Sequence, residues 1–444
     1  MVGQRPSNHV PLRVVGVNSP YRKYALFVCL CREEKAQTYV KWIFRQSFAP
    51  GMHQGPACRR TALRLYSPAS REYSGAAGQR LMRRTLLIAA KLTGVLVLAF
   101  ALAVLALALT HHRPPTYTTV DIGGRGSTAG APVALKILTW NLGYAGLGSE
   151  ADFFMDGGTG VLAQDEPTVR RHLANIIAEL RREAPDVAML QEVDSGSRRS
   201  YWVDERAAII SALPDRYSSY ALNFNVTYVP YPFTRPTGKV RSGVMSLGHY
   251  LPDAATRVQL PGAIRWPISA FVLDRCALVW QVPTAAGHHW VLINVHLSAY
   301  DSGGMLRAQQ LAFLKEYVAR LYARDDYVVV GGDWNAILPG IRPDQFPSHD
   351  KSTEYYFPMP RDFSPAAWKW AVPFVPTNRV NNSAYQPGKN YVTVIDGFLV
   401  SPNVDIRSVA TVSLGFRDSD HEPVVVELAA HPGASTARTP NPVY

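Results

Sequence analysis

The chain has 444 residues, of which 47% are apolar, 11% aromatic and 18% charged, with four cysteines. This balance excludes a collagen, a coiled coil, a disulfide-dense mini-protein and a wholly disordered chain. The formal charge of +12 sits at one end: residues 1–91 hold 16 Lys+Arg against 3 Asp+Glu, which leaves 30 against 31 for the rest. A neutral domain lacks the overall basic footprint by which proteins grip duplex nucleic acid.

In chain order, residues 1–81 mix basic, Pro and Ser-rich stretches without a sustained period. They are expected to be a disordered leader or a mis-annotated one, with translation starting instead at Met82 (MRRTLLIAAKL). Residues 82–110 are predicted to be a signal-anchor: Leu92 to Thr110 carry no charge and follow Arg83, Arg84 and Lys91. About 20 apolar residues span a bilayer core, and flanking cations hold their end in the cytoplasm. The chain after His111 is therefore expected outside the cytoplasm. The Ala106-Leu107-Ala108 triplet also suits signal peptidase, which would release a secreted product. Residues 111–130 read as a Pro, Thr and Gly-rich linker, 131–430 as the folded domain, and 431–444 as a flexible tail. Cys29, Cys31 and Cys58 precede the domain, so Cys276 has no partner for a disulfide and reads as a small packed residue.

Within the domain, LKILTWNL, DVAMLQEV, HHWVLINVHL, DYVVVGGDW, TVIDGFLV and EPVVVEL are predicted strands. Thr168 to Glu183 places Val169, Leu173, Ile176, Ile177 and Leu180 on one helical stripe. Leu306 to Tyr322 does the same with Leu306, Leu311, Leu314, Val318 and Leu321. Strands alternating with amphipathic helices predict an α/β domain with helix-covered sheets.

Polar residues recur at the ends of these strands, where sites in such folds are built. They are Asn141, Glu192, His296, Asp333 with Asn335, Asp396, and the run Asp418-Ser419-Asp420-His421. Each alone suits a turn, a cap or a packed core position; six sites in this pattern point to chemistry. Carboxylates with a carboxamide favour a hard cation such as Mg²⁺ over zinc.

The ordered string WN…QE…NVHL…GGDWN…IDGFLV…SDHEPV, over residues 135–428, resembles the endonuclease/exonuclease/phosphatase superfamily. The resemblance implies a four-layer α/β/β/α sandwich that hydrolyses phosphate esters with Mg²⁺ or Mn²⁺. By the same resemblance Asn141, Glu192 and Asp420 are metal-site residues, Glu192 being the principal ligand. Asp333 and Asn335 activate the attacking water and hold the phosphate, while His421 acts with Asp396 as its carboxylate partner. His296 matches a second histidine of the deoxyribonuclease and sphingomyelinase branches. Asp333 accepting a water proton, with histidines donating to phosphoryl oxygens, meets the needs of in-line attack on phosphorus.

The expected substrate is a phosphorylated small molecule or lipid, the expected partner a membrane through residues 92–110, and the expected state a monomer. A metal-dependent nuclease on DNA or RNA is the second reading. A binding module without chemistry is disfavoured because every motif residue is present. The aromatic, Pro-bearing segments Tyr217 to Pro236 and Tyr355 to Phe374 are candidate cleft walls, with Arg235, Lys239 and Arg241 near the first. Arg307 is spaced to begin the helix after His296, where it caps or forms an ion pair.

Overall fold

The computed structural model describes residues 76–111, 114–262, 264–301, 303–351 and 355–431. The expected leader, up to residue 75, and the expected tail, from residue 432, lie outside the described residues. Helix α1 runs Ala76–Thr110, and its residues Gly78–Thr110 are long and apolar enough to cross a bilayer by length and composition.

Two mixed seven-stranded sheets face each other. The first has the order β1 (Tyr117–Thr119), β7 (Ala254–Gln259), β8 (Cys276–Pro283), β9 (His289–His296), β10 (Tyr327–Asp333), β14 (Asp396–Val400), β11 (Lys369–Ala371). The second has the order β15 (Val404–Thr411), β16 (Val424–Ala430), β3 (Ala134–Asn141), β4 (Val187–Asp194), β6 (Gly238–Gly248), β5 (Tyr217–Val229), β2 (Gly123–Gly124). A two-stranded ribbon joins β12 (Asn378–Arg379) to β13 (Val392–Thr393). The TVIDGFLV run is thus two strands rather than one, broken at Val394-Ile395.

Strand alternation sorts the layers. Ile137 of β3, Met189 of β4, Leu292 of β9, Val329 of β10 and Phe398 of β14 meet between the sheets. Their neighbours Leu138, Trp140, Ala188 and Leu190 face outward onto α2 (Glu166–Glu183), through Val169, Leu173, Ile176 and Leu180. On the far side Val291, Ile293, Val328 and Val330 take α4 (Met305–Tyr322), through Leu311, Leu314, Val318 and Leu321. Both predicted helices therefore exist, and the result is the expected α/β/β/α sandwich. Asp165 caps α2 by accepting from the Thr168 amide (2.8 Å), and α3 (Glu205–Ala212) starts the same way at Asp204. Cys276 is fully buried and forms no disulfide among the described residues.

A polar tie crosses the apolar layer between the sheets. Gln191 Nε2 donates to Asn294 Oδ1 (2.8 Å), and Asn294 Nδ2 donates to the carbonyls of Leu190 and Met245 (3.1 and 2.9 Å). It fixes β9 against β4 and β6 one residue before Glu192 on β4 and two before His296 on β9.

Candidate active site

The same alternation that fills the core aims the candidate residues. Asn141 shares parity with Ile137, His296 with Leu292, Asp333 with Val329 and Asp396 with Phe398, so all four point between the sheets. Register then aligns them: Asp333 of β10 pairs with His296 of β9 on one side and with Asp396 of β14 on the other. Gly332 makes room for this row, because a Cβ there would meet the Val295 carbonyl oxygen at 2.0 Å and its φ is +149°.

Glu192 breaks the rule. By parity it belongs on the outer face with Leu190, but the β4–β6 register shifts between Leu190 and Val193 and Glu192 takes φ +52°. The bulge turns its carboxylate into the cleft. Tyr144, Tyr300 and Asn335 also hold positive φ and also line the cleft. Left-handed non-glycine residues concentrated at one site mark backbone strain held by the surroundings. For Asn335 the holding group is Arg307, whose guanidinium donates to the Asn335 and Tyr355 carbonyls.

His421 arrives on a loop. Trp140 Nε1 donates to its carbonyl (2.9 Å), and Ser419 Oγ donates to the Asn141 carbonyl (2.8 Å) while accepting from the His421 amide (3.1 Å). His421 Nδ1 then lies 2.9 Å from Asp396 Oδ2, and Nε2 lies 3.8 Å from Asp333 Oδ2. Asp333 Oδ2 also accepts from Asn141 Nδ2 (3.0 Å) and Asn335 Nδ2 (3.2 Å), with His296 Nε2 at 3.4 Å. Asn141, His296, Asp333, Asn335, Asp396 and His421 are therefore one contact group. Glu192 adjoins it, its Oε1 lying 3.9 Å from His296 Nε2.

Burial separates the two histidines electrostatically. It opposes charge on both, but Asp396 and Asp333 override it at His421 and raise that group to about 10. His296 has no such excess; burial, then Arg275 and His421, hold it well below the usual imidazole range. At neutral pH the site thus carries one cationic and one neutral imidazole. Burial also raises Asp333 to about 6, with His421 opposing and Asp396 adding to the rise. Glu192 is raised by burial, relieved by Arg199 and raised further by Asp420.

The ligand atoms of Asp333, Asp396 and His421 lie within 4.8 Å of one another, a spacing that can hold an ion. Asn141, Glu192 and Asp420 also line the cleft and offer oxygen donors. Asp420 disfavours charge on Glu192, a repulsion that a divalent cation would relieve. Hard oxygen donors around an excess of negative charge fit Mg²⁺ or Mn²⁺.

Residues absent from the motif string complete the site. Asn378, bridged to His421 through β12, places Nδ2 3.0 Å from His421 Nε2 and accepts from Tyr356 Oη (2.5 Å). Asp156 accepts from Tyr300 Oη (2.9 Å), and burial raises it to about 6. Arg199 forks onto Asp194, stacks 3.9 Å from the Tyr144 ring centroid and reaches within 3.6 Å of Glu192. Arg275 is 9% exposed, lines the cleft and has a buried Nη1 without a hydrogen-bond partner among the described residues. These come from loops and strand starts, where no period marks them.

The group opens into a cleft of about 580 Å³. Of the two segments expected as walls, Tyr217 to Pro236 supplies Phe224, Val229, Pro230 and Tyr231, though most of it is strand β5. From the second only Tyr355 and Tyr356 line the cleft; Phe363 and Trp370 pack on Trp334 instead. Arg235, Lys239 and Arg241 are absent from the lining, and Arg241 donates to Ser195. The larger share of the wall comes from Phe153-Phe154-Met155 and from Leu260 to Leu273, the latter passed over in the sequence.

Residues 138–421 match the Endonuclease/Exonuclease/phosphatase family. No curated protein matches the chain. Among solved structures, an endonuclease/exonuclease/phosphatase from Beutenbergia cavernae is similar at 21% identity and TM-score 0.43, over 68% of this chain and 73% of that one. Another from Bacteroides vulgatus is similar at 14% identity and TM-score 0.43, over 67% and 99%. The human Nocturnin catalytic domain is similar at 16% identity and TM-score 0.42, over 70% and 98%. With the matched span covering the buried Asp333, Asp396 and His421 group and most strands of the two sheets that position it, the chain belongs to the endonuclease/exonuclease/phosphatase family and is a metal-dependent phosphoesterase.

Proposed function

We propose that the chain hydrolyses a phosphate ester of an amphiphile, a lipid-type phosphomonoester or phosphodiester, outside the cytoplasmic membrane. The observation that carries this reading is the cleft wall. Phe153, Phe154, Val229, Leu260, Ile264 and Phe271 line the space beside the catalytic group. A sugar or a base calls for hydrogen-bonding partners along its edge, whereas an apolar wall gains by covering hydrocarbon. The neutral charge of the chain after residue 91 supports the same choice over nucleic acid. The apolar helix α1 supports a tether that keeps the enzyme near such a substrate.

In this reading Asn141, Glu192 and Asp420 hold Mg²⁺ or Mn²⁺, which supplies Lewis-acid stabilisation of the phosphoryl oxygens. Asp333, freed of its proton above about pH 6, accepts the proton of the attacking water. Asn335 and Asn141 orient the Asp333 carboxylate through their amide nitrogens. Cationic His421 donates from Nε2 to a phosphoryl oxygen as charge builds there, and Asp396 keeps it charged. Neutral His296 adds a second donor from Nε2.

The test is hydrolysis by the full chain, with Mg²⁺ and with EDTA, on dioleoyl phosphatidic acid, a choline phosphodiester lipid, glucose 6-phosphate and plasmid DNA. EDTA-sensitive release from a lipid with intact plasmid is the expected result. Nicked plasmid as the main product establishes the nuclease, and sugar phosphate as the best substrate removes the lipid reading.

A further inference from the structure

Two loops beside the cleft hold large apolar side chains in solvent. The turn after β5 presents Tyr231 and Phe233, the latter 79% exposed. The loop after β7 presents Ile264, Trp266 and Ile268, the last two 43% and 53% exposed. Both loops also line the cleft, through Val229, Pro230 and Tyr231 and through Ile264 and Ile268, so this exposed surface continues the apolar wall outward. Ring contacts join the parts: Phe154 lies 5.6 Å from Tyr231, and Tyr231 lies 6.0 Å from Phe233. Exposed apolar groups clustered this way mark an interaction surface rather than incidental exposure.

The charges carried by the two stretches themselves have one sign. Residues 228–240 contain Arg235 and Lys239, residues 261–272 contain Arg265, and neither stretch contains Asp or Glu. All three cations are exposed. Aromatic and branched apolar groups interleaved with cations, and free of acids, match the interface of a bilayer containing anionic lipid.

We propose that these two loops dock the mouth of the cleft onto an anionic lipid bilayer. Phe233 and Trp266 enter the headgroup region, and Arg235, Lys239 and Arg265 meet lipid phosphates. The proposal rests on the lipid reading of the cleft and deepens it. A docked mouth lets a lipid phosphate ester rise along the apolar wall to Asp333 without exposing its chains to water. Neutral or zwitterionic surfaces are bound less well, because the three cations then lose their counter-charges.

The full chain, reconstituted in phosphatidylcholine liposomes with and without 30% phosphatidylglycerol, tests this by quenching from lipids brominated along the acyl chain. Wild-type tryptophan emission is expected to be quenched more than that of Trp266→Phe, and the difference is expected to shrink at least twofold without phosphatidylglycerol or in Phe233→Asp. Equal quenching of wild type and Trp266→Phe overturns the proposal. Shielding of Trp266 from aqueous acrylamide that grows with protein concentration and not with lipid also overturns it, in favour of a second copy. A second arm uses activity: Phe233→Asp/Trp266→Asp is expected to hydrolyse monomeric dihexanoyl phosphatidic acid at the wild-type rate, and dioleoyl phosphatidic acid in liposomes at least tenfold more slowly. An equal rate on liposomes overturns docking as a catalytic aid. Failure of wild type on both lipids, with Trp266 quenching intact, removes the substrate reading and leaves the surface standing.

Discussion

His421 Nδ1 and Asp396 Oδ2 stand 2.9 Å apart with both side chains buried, and this contact favours the cationic imidazole. Asp396 Oδ1 has no hydrogen-bond partner among the described residues, so the carboxylate's side-chain hydrogen bonding is to the imidazole, while its charge also acts on Asp333. Asp396→Asn removes that charge while keeping the shape. His421, now at about 10, then falls toward or below the ordinary imidazole range, because burial alone favours the neutral ring. The alkaline limb of the rate profile moves down by pH units, and kcat at pH 8 drops at least ~10²-fold. A profile measured between pH 5 and 10 checks this; an unmoved alkaline limb separates His421 from the chemistry.

The same pair makes stability depend on pH. His421 binds its proton more tightly folded than unfolded, so its contribution is complete below about pH 6.5 and is lost as pH rises through about 10. Wild type is therefore expected to lose thermal stability between pH 7 and 10 in excess of the His421→Gln variant. Melting curves of both proteins across that range provide the comparison. Parallel curves place the cation elsewhere.

Glu192 reaches the cleft only through the bulge and its left-handed backbone. Glu192→Gln keeps size and hydrogen bonding but removes the charge that a cation needs. The Mg²⁺ concentration for half-maximal activity is expected to rise at least ~10-fold, which is about 1.4 kcal/mol of lost affinity. Saturating Mg²⁺ restores part of kcat, because Asp333 and His421 are untouched. Calorimetric titration with Mn²⁺ gives the affinity without relying on turnover, and an unchanged affinity assigns the metal to other ligands.

The sandwich was legible in the sequence because strand and helix periods are carried by every core residue. Ile137 and Leu138 declare opposite faces simply by adjacency, and the stripe from Val169 to Leu180 declares α2. The cleft positions of Asn141 and Asp333 were legible because each ends such a strand, and that of His421 because its run directly precedes one. Asn378, Arg199, Arg275 and Tyr300 were not, since their roles depend on which loops meet in space. Arg307 was seen at the start of α4, but its partner proved to be the Asn335 carbonyl, a contact no spacing encodes. The bulge at Glu192 was equally hidden: strict alternation sends that carboxylate to the wrong face.

Asn294 tests the tie between the sheets. Asn294→Leu removes one of three acceptors of Gln191 Nε2, which keeps Thr139 Oγ1 and the Met189 carbonyl, and removes the side-chain donor to two carbonyls in a fully buried layer. Unsatisfied buried groups cost about 1–3 kcal/mol each, so a loss near that range in urea denaturation is expected. Activity falls further than stability alone explains, because His296 is two residues along the same strand and its aim depends on the tie. A variant with full stability would mean that the amides merely fill space.

Arg275 offers the clearest division between binding and catalysis. Its guanidinium is buried within the electrostatic reach of Glu192 and Asp333, burial depresses its proton affinity, and its Nη1 donates to nothing among the described residues. A guanidinium held in place with a spare donor over a cleft suits a phosphate oxygen. Arg275→Met is therefore expected to raise KM at least ~10-fold and to weaken inhibition by inorganic phosphate by a similar factor, with a smaller fall in kcat. Stability should change little, since the substitution removes a charge whose solvation was already lost. If Arg275 only balances Glu192, the phosphate inhibition constant stays fixed and Mg²⁺ binds more tightly instead, because Glu192 and Asp420 are then relieved by the metal alone. Phosphate inhibition measured at saturating Mg²⁺ distinguishes the two roles in one experiment.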